Sequence, residues 1–377
     1  MSFEQFLGNE KIVTALRRML ASGRVPHAML FTGPRGVGKY TLALRFAQAA
    51  NCQRFRDDFC GECDTCQQIA RLADPKPLID QGLAERGESA DAAMVERVPL
   101  ILQAHPDVWA IVPDPVRLRT PVMRPVLRMG QLRAVQRAAN FRPLVRRRVF
   151  ILDGAETMRV DLVGIFLKIL EEPPETATLI LLAPNPNLLR DTIRSRCLQF
   201  AFAPVPDAQV EEFLKARTDW KAADRKLAAQ LAEGCPGAAL AVDADESIRL
   251  RRSVLGVIER AAGGRSYARL FAETSELAKS EKQPFEKTLE LFYSLMTDLL
   301  ELFCGRTNSV LRNPALRHDL EALSSKVNLD WLTQGVEGLD QLHGRMRRNI
   351  NRTLGLDALA VSLASPPGGE TDRANRG

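Results

Sequence analysis

Along residues 1–203, short unbroken apolar runs alternate with stretches in which apolar residues recur at helical spacing. Ala28-Met29-Leu30-Phe31, Val149-Phe150-Ile151-Leu152 and Thr178-Leu179-Ile180-Leu181-Leu182 are the strand candidates. A strand apolar on both faces is covered on both faces, the habit of parallel sheets flanked by helices. The spacing predicts helices over Tyr40 to Ala47 and from about Val160 to Leu170. The second is stopped by Glu171-Glu172-Pro173-Pro174, since proline cannot continue a helix and restricts the residue before it. Residues 73–103 carry Pro75, Pro77, Gly82, Gly87 and many charges, and read as an inserted loop with one short helix.

After Ala203-Pro204-Val205-Pro206 the strand-like runs stop. Asp207 is suited to cap a helix through about Lys215, opening a small helical unit over 204–245. Residues 246–364 read as helical throughout. Leu289, Phe292, Leu295, Met296, Leu299, Leu302 and Phe303 cover so much of one helix that a bundle core or an oligomer interface must surround it. Residues 365–377 hold too little apolar side chain to fold and read as a disordered tail. The fold class expected is α/β, a parallel-sheet domain over 1–203 followed by a helical lid and an all-helical C-terminal domain.

The chain has 377 residues, enough for two or three domains with cores of their own. Hydrophobic residues make up 45% and charged residues 26%, which excludes disorder as the default. A net charge of +6, from 52 Lys+Arg against 46 Asp+Glu, permits a polyanionic partner without requiring one. No run approaches the roughly 20 apolar residues that span a bilayer. Met1-Ser2-Phe3-Glu4-Gln5-Phe6 offers no basic segment leading into an apolar one, so a cytoplasmic protein with no membrane partner is expected. Of seven cysteines, Cys52, Cys60, Cys63 and Cys66 crowd one segment, pointing to a metal site rather than a disulfide framework.

Those four give C-x7-C-x2-C-x2-C, a thiolate set suited to tetrahedral zinc with no position left for water, hence a structural Zn2+. Arg54, Arg56 and Arg71 are near enough in sequence to offset its charge. Gly33-Pro34-Arg35-Gly36-Val37-Gly38-Lys39 matches G-x-x-x-x-G-K between a strand and a helix, as a phosphate-cradling loop requires. Gly33, Gly36 and Gly38 would turn backbone N–H groups onto phosphate oxygens, and Lys39 would bridge the β- and γ-phosphates. The next position calls for a Ser or Thr hydroxyl on Mg2+, but holds Tyr40; Thr41 comes one residue late and points about 100° away. The strand ending in Leu152 leads to Asp153, placed to hold Mg2+, with Gly154 where a water-polarising acid would stand and Glu156 beyond. The expectation is a degenerate site in which ATP or ADP binding is weak or absent.

Between Met123 and Val149 lie Arg124, Arg128, Arg133, Arg137, Arg142, Arg146, Arg147 and Arg148. Arg133 and Arg137, four apart, share a helix face suited to DNA phosphates, as readily as to plain solvent. Only Phe141 interleaves them, so base stacking is unsupported.

Taken together, Arg24 to Pro34, the cysteine set, His105-Pro106-Asp107, Leu170-Glu171-Glu172-Pro173-Pro174 and Ser195-Arg196-Cys197 resemble the AAA+ clamp-loader subunits of the bacterial DNA polymerase III holoenzyme. The order and spacing agree over 1–203, and Asn349-Ile350-Asn351 fits the end of the family's C-terminal collar. The resemblance implies a RecA-like AAA+ domain carrying a zinc module, a helical lid over 204–245 and a helical collar over 246–364 for oligomerisation. Within the family, Tyr40, Asp153-Gly154, Ala183-Pro184-Asn185 at the sensor position and Gly237 in Gly234-Cys235-Pro236-Gly237 all depart from the ATP-hydrolysing γ/τ pattern. With the absence of a long extension after the collar, they favour the non-hydrolysing δ′ type. The family then implies that Arg196 serves as an arginine finger in trans, and that the partners are γ/τ and δ in a hetero-pentamer, the sliding clamp, and primed DNA through the assembled complex. Rival readings are an ATP-hydrolysing motor and a zinc-ribbon nucleic-acid module.

Overall fold

The structure, a computed structural model, describes residues 2–87, 91–115, 125–158, 160–171, 174–263, 267–279, 285–305, 311–346 and 351–364. Arg124, Glu172, Pro173, Asn349, Ile350 and the expected tail lie outside the described residues. By packing, the chain forms two compact units, Met1–Thr218 with Gly234–Leu240, and Asp219–Glu233 with Ala241–Gly377.

The first unit is built on a six-stranded sheet. Its strands are β1 (Ala28–Thr32), β2 (Leu102–His105), β3 (Val108–Ile111), β4 (Arg148–Leu152), β5 (Ala177–Ala183) and β6 (Leu198–Ala201), in the order β2-β3-β4-β5-β1-β6. Every pairing is parallel except the short β2–β3 pair at one edge. The three apolar runs expected as strands are the central β1, β4 and β5. The strands not anticipated, β2, β3 and β6, are short and two lie at the edges; β6 exposes Leu198, Gln199 and Ala201, so its sequence lacks the continuous apolar signature.

Helices α1 (Glu10–Ser22), α2 (Lys39–Asn51), α3 (Asp64–Ala70), α4 (Lys76–Arg86), α5 (Ala92–Arg97), α6 (Met129–Ala139), α7 (Val160–Glu171), α8 (Asp191–Arg194) and α9 (Asp207–Lys215) complete most of this unit. Alternate strand residues serve opposite faces. Met29, Phe31, Ile151, Ile180 and Leu182 join a core with Leu42 and Phe46 of α2 and Ile69 of α3. Leu30, Phe150, Leu152, Leu179 and Leu181 join a second core with Leu132 and Val135 of α6 and Phe166 of α7. Residues 73–103 differ from the expected loop, holding α4, α5 and part of β2. They are docked by polar bonds: Arg86 donates to the Val98 carbonyl and, at 2.7 Å, to the fully buried carboxylate of Asp114.

Residues 204–245 are shared between the units: α9 packs in the first, α10 (Ala222–Leu231) in the second, and α11 (Pro236–Leu240) again in the first. The second unit continues with α12 (Ala244–Gly263), α13 (Tyr267–Lys279), α14 (Phe285–Phe303), α15 (Arg317–Ser324), α16 (Leu329–Met346) and α17 (Arg352–Ala364). Its core includes Leu289, Phe292, Leu295, Met296, Leu299 and Leu302 from α14, so that helix is enclosed by its own unit, while Phe303 stays exposed. No helix among the described residues is long and apolar enough to cross a membrane.

Candidate functional site

Parallel pairing puts the ends of β1 and β4 on the same edge of the sheet, and each end leads to a candidate motif. From Thr32 the chain enters Gly33–Gly38, and α2 starts at Lys39 with Gly38 as its left-handed cap (φ 105°). From Leu152 it enters Asp153, Gly154 and Glu156. The nine-tenths-buried Lys39 donates from Nζ to the carbonyls of Gly33 and Pro34 at 2.6 and 2.8 Å. The ammonium that would face phosphate is engaged by its own loop. Burial lowers the Lys39 pKa, with Asp153 opposing the shift. Burial likewise raises Asp153 and Glu156, while the Gly154 N–H and Lys39 act to lower Asp153.

Further contacts close this region. At Gly36 (φ 80°), α11 lies directly on the loop: Gly237 N–H donates to the Gly36 carbonyl at 2.8 Å, and a Cβ on Gly36 would come within 2.5 Å of the Ala238 nitrogen. Tyr40 turns its phenol to donate to the Leu72 carbonyl at 2.8 Å, just beyond α3. The side chain that replaces the metal-binding hydroxyl is a strut between the P-loop helix and the cysteine segment. Gly154 (φ 65°) leaves no room for an acid, since a Cβ there would meet Pro113 Cγ at 2.7 Å. Asn185 of the sensor segment spends its side chain accepting from the Asn187 N–H.

Cys52 at the end of α2, Cys60, Cys63 and Cys66 on α3 bring their sulfurs within 4.8 Å of one another, and this cluster could hold a metal ion. A tetrahedral thiolate site with Zn–S near 2.3 Å separates its sulfurs by about 3.8 Å, so the cluster fits one with little closing. Backbone N–H groups of Phe55, Glu62 and Cys63 point at Cys52 and Cys60 sulfurs, the donors a thiolate needs. Burial opposes ionisation of Cys60, yet the Cys63 and Glu62 N–H groups together with the neighbouring Cys63 and Cys52 thiols outweigh it and lower its pKa to about 6. Gln48 ties α2 to this module through the Cys66 carbonyl at 2.9 Å.

Arg196 follows α8, with its side chain 37% exposed. Its Nη2 meets Glu171 Oε1 at 2.8 Å and its Nη1 the Thr192 carbonyl at 3.0 Å. Arg133 and Arg137 both stand exposed on α6. The other arginines of that stretch do not form one face: Arg128 is buried beside Asp114, and Arg147 donates to Ala177 O and Thr178 Oγ1. Sequence reasoning missed the covering of the loop by α11 and the partners of Tyr40 and Arg196. Nothing in residue spacing announces contacts between segments so far apart.

The family model described as DNA polymerase III, delta subunit, matches residues 8–206. The chain belongs to this clamp-loader family. Relatives include the DNA polymerase III tau/gamma subunit of Haemophilus influenzae, 29% identical over 215 residues, and the gamma subunit of Buchnera aphidicola, 27% identical over 215. Each match covers 56% of this chain but only 25% and 48% of those proteins. The DNA polymerase III subunit delta′ of Pseudomonas aeruginosa is 29% identical over 366 residues, covering 91% of this chain and 93% of that one. Among solved structures, a gamma subunit-related protein of Thermotoga maritima covers 94% of the chain at 14% identity and TM-score 0.35; its relation covers 99% of that protein. The RuvB Holliday junction branch migration motor of the same organism covers 88% of this chain and 86% of its own, at 14% identity and TM-score 0.37.

Proposed function

We propose that this chain is a δ′-type subunit of the bacterial DNA polymerase III clamp loader. It is a cytoplasmic, largely non-hydrolysing AAA+ subunit that helps place the sliding clamp on primed DNA and offers Arg196 to the ATP site of a neighbouring subunit. The observation that carries the reading is the state of its own P-loop: Lys39 is held by Gly33 and Pro34, Gly36 lies under α11, and Tyr40 is bonded to Leu72. A loop whose lysine is held by its own carbonyls, whose Gly36 is overlain by α11 and whose magnesium position carries a bonded phenol is suited to scaffold rather than motor. The near full-length match to a delta′ subunit points the same way.

In this reading Cys52, Cys60, Cys63 and Cys66 hold a structural Zn2+, which supplies folding free energy and no chemical step. Arg133 and Arg137 contact DNA phosphates only through the assembled complex. Arg196, fixed by Glu171 and Thr192, adds a cation to the transferring phosphoryl in trans, an effect worth roughly 10³–10⁵ in rate in other NTPases.

Mixing the chain with γ/τ and δ tests the proposal. A defined hetero-pentamer is expected, with clamp-stimulated ATPase that falls partially in Arg196→Ala while assembly persists. Clamp loading that is unchanged by Arg196→Ala removes the finger assignment. Turnover by the isolated chain that disappears in Lys39→Ala would restore the γ/τ motor reading.

A further inference from the structure

At the opposite end of the sheet from the P-loop, two loops display large apolar side chains that nothing in the candidate nucleotide site uses. Leu144 is 75% exposed, Phe141 64% and Phe55 50%. Phe141 and Leu144 lie in the loop that runs into the first residues of β4, and Phe55 in the loop between Cys52 and Cys60. The loops are joined, since Arg146 Nη2 donates to the Phe55 carbonyl at 2.8 Å.

This display is built, not incidental. Asn51, fully buried, accepts from the N–H groups of Arg146 and Arg147 at 3.2 and 3.0 Å and donates to the Arg147 carbonyl at 2.9 Å. Asp107, 1% exposed, accepts from the N–H groups of Leu144 and Val145 at 2.9 and 2.8 Å. A carboxylate and an amide sunk into the domain therefore fix the backbone that holds Leu144 in water. With the backbone already held, docking on this loop orders side chains alone, and covering them removes apolar surface from solvent.

Charge selects the occupant. Arg54 and Arg17 are matched by Glu62 and Asp57, whereas no acidic side chain among the described residues pairs with Arg56, Arg142 or Arg146. Phe141 itself lies 5.9 Å from the guanidinium carbon of Arg148. We infer that the surface formed by Phe55, Phe141, Leu144 and the surrounding arginines docks an acidic peptide segment of a partner protein that carries an aromatic or aliphatic anchor. Covering the exposed apolar side chains supplies affinity, and the arginines supply sign selectivity and a faster encounter.

The probe is a fluorescein-labelled peptide alternating Asp and Phe, with Lys–Phe and Asp–Ser peptides as controls, titrated with the full chain by anisotropy. Saturable binding of Asp–Phe alone is expected, weakening with salt. Leu144→Ser and Phe141→Ser should each lower affinity about tenfold, the scale of one lost buried apolar side chain. Arg142→Glu should weaken binding as well, and none of the three should move the melting temperature, because these side chains are exposed. Equal binding of Lys–Phe, equal binding of Asp–Ser, or Asp–Phe binding indifferent to Leu144→Ser and Phe141→Ser overturns the inference. So does sedimentation showing a dimer that Leu144→Ser dissolves, since the occupant would then be a second copy of this chain.

Discussion

Gly154 shows how tightly a single backbone position after β4 can be constrained. Its φ of 65° lies where a side chain is strained, and a Cβ would press on Pro113 at 2.7 Å. Gly154→Glu is therefore expected to destabilise the first unit by about 1–3 kcal/mol without restoring hydrolysis, because strain and overpacking add. Thermal melts and an ATPase assay of the variant check both halves. Arg196 behaves oppositely: its pair with Glu171 is a half-exposed surface contact, so Arg196→Ala should change stability by no more than about 1 kcal/mol. A larger drop in a denaturant melt would mark Arg196 as a structural residue and separate that outcome from a loss of trans-acting charge.

At the scale of elements, the polar residues between strands explain more than their motifs announce. His105 is buried and accepts the Asp107 N–H on Nδ1 at 3.1 Å. Burial lowers its pKa below the ordinary 6.5, with the Asp107 charge opposing. The unfolded chain thus takes up a proton that the folded chain resists. Stability from this group is full above about 6.5 and is lost as pH falls through the lowered value. The melting temperature of wild type should drop more between about pH 7 and pH 5 than that of His105→Asn, and parallel pH profiles would contradict this. For the cysteine segment, Cys63→Ser or a strong chelator should release α3 from α2 and with it the Tyr40 and Gln48 bonds, read as faster amide exchange over 64–72. The central strands and the gathering of four cysteines into one cluster were legible because continuous apolar runs and paired C-x2-C spacings are local signals. The second helix inside 73–103, beyond the one short helix expected there, and the edge strands were not, since α4 has little amphipathic pattern of its own and is held by the remote contact of Arg86 with Asp114. The P-loop was legible as a motif; that its lysine and glycine are already engaged was not, because those partners come from backbone carbonyls and from residues about 200 positions away.

Across the whole molecule, the boundary expected at 203/204 and the segment 204–245 describe the chain less well than its packing does. A left-handed pair, Glu233 (φ 50°) and Gly234 (φ 74°), ends the stretch that packs with the helical unit, and Gly234–Leu240 packs with the P-loop unit. What fixes 219–233 to the helical unit is a buried polar network. Arg251 donates to the Leu231 carbonyl at 3.1 Å and to Asn313 Oδ1 at 2.9 Å; Asn313 donates to Asp298 and Ser294, and Ser294 to Glu233. Asp298, 1% exposed, also accepts the N–H groups of Arg312 and Asn313. A network this buried is costly to break from one side, since each orphaned donor then lacks both protein and water. Asp298→Ala should therefore cost about 3–5 kcal/mol, because it leaves the N–H groups of Arg312 and Asn313 and one Asn313 amide bond without their acceptor, while Arg251 keeps Glu233 as a charge partner. Because the cores of the two units share no buried residues, calorimetry of the full chain should resolve two transitions, and only the one belonging to the helical unit should move. Asp298→Asn, which keeps an acceptor for one of the N–H groups, should recover part of the loss. A single transition displaced as a whole would mean that the two units unfold as one, and the network would then stabilise the entire chain rather than anchor α10 to its own unit.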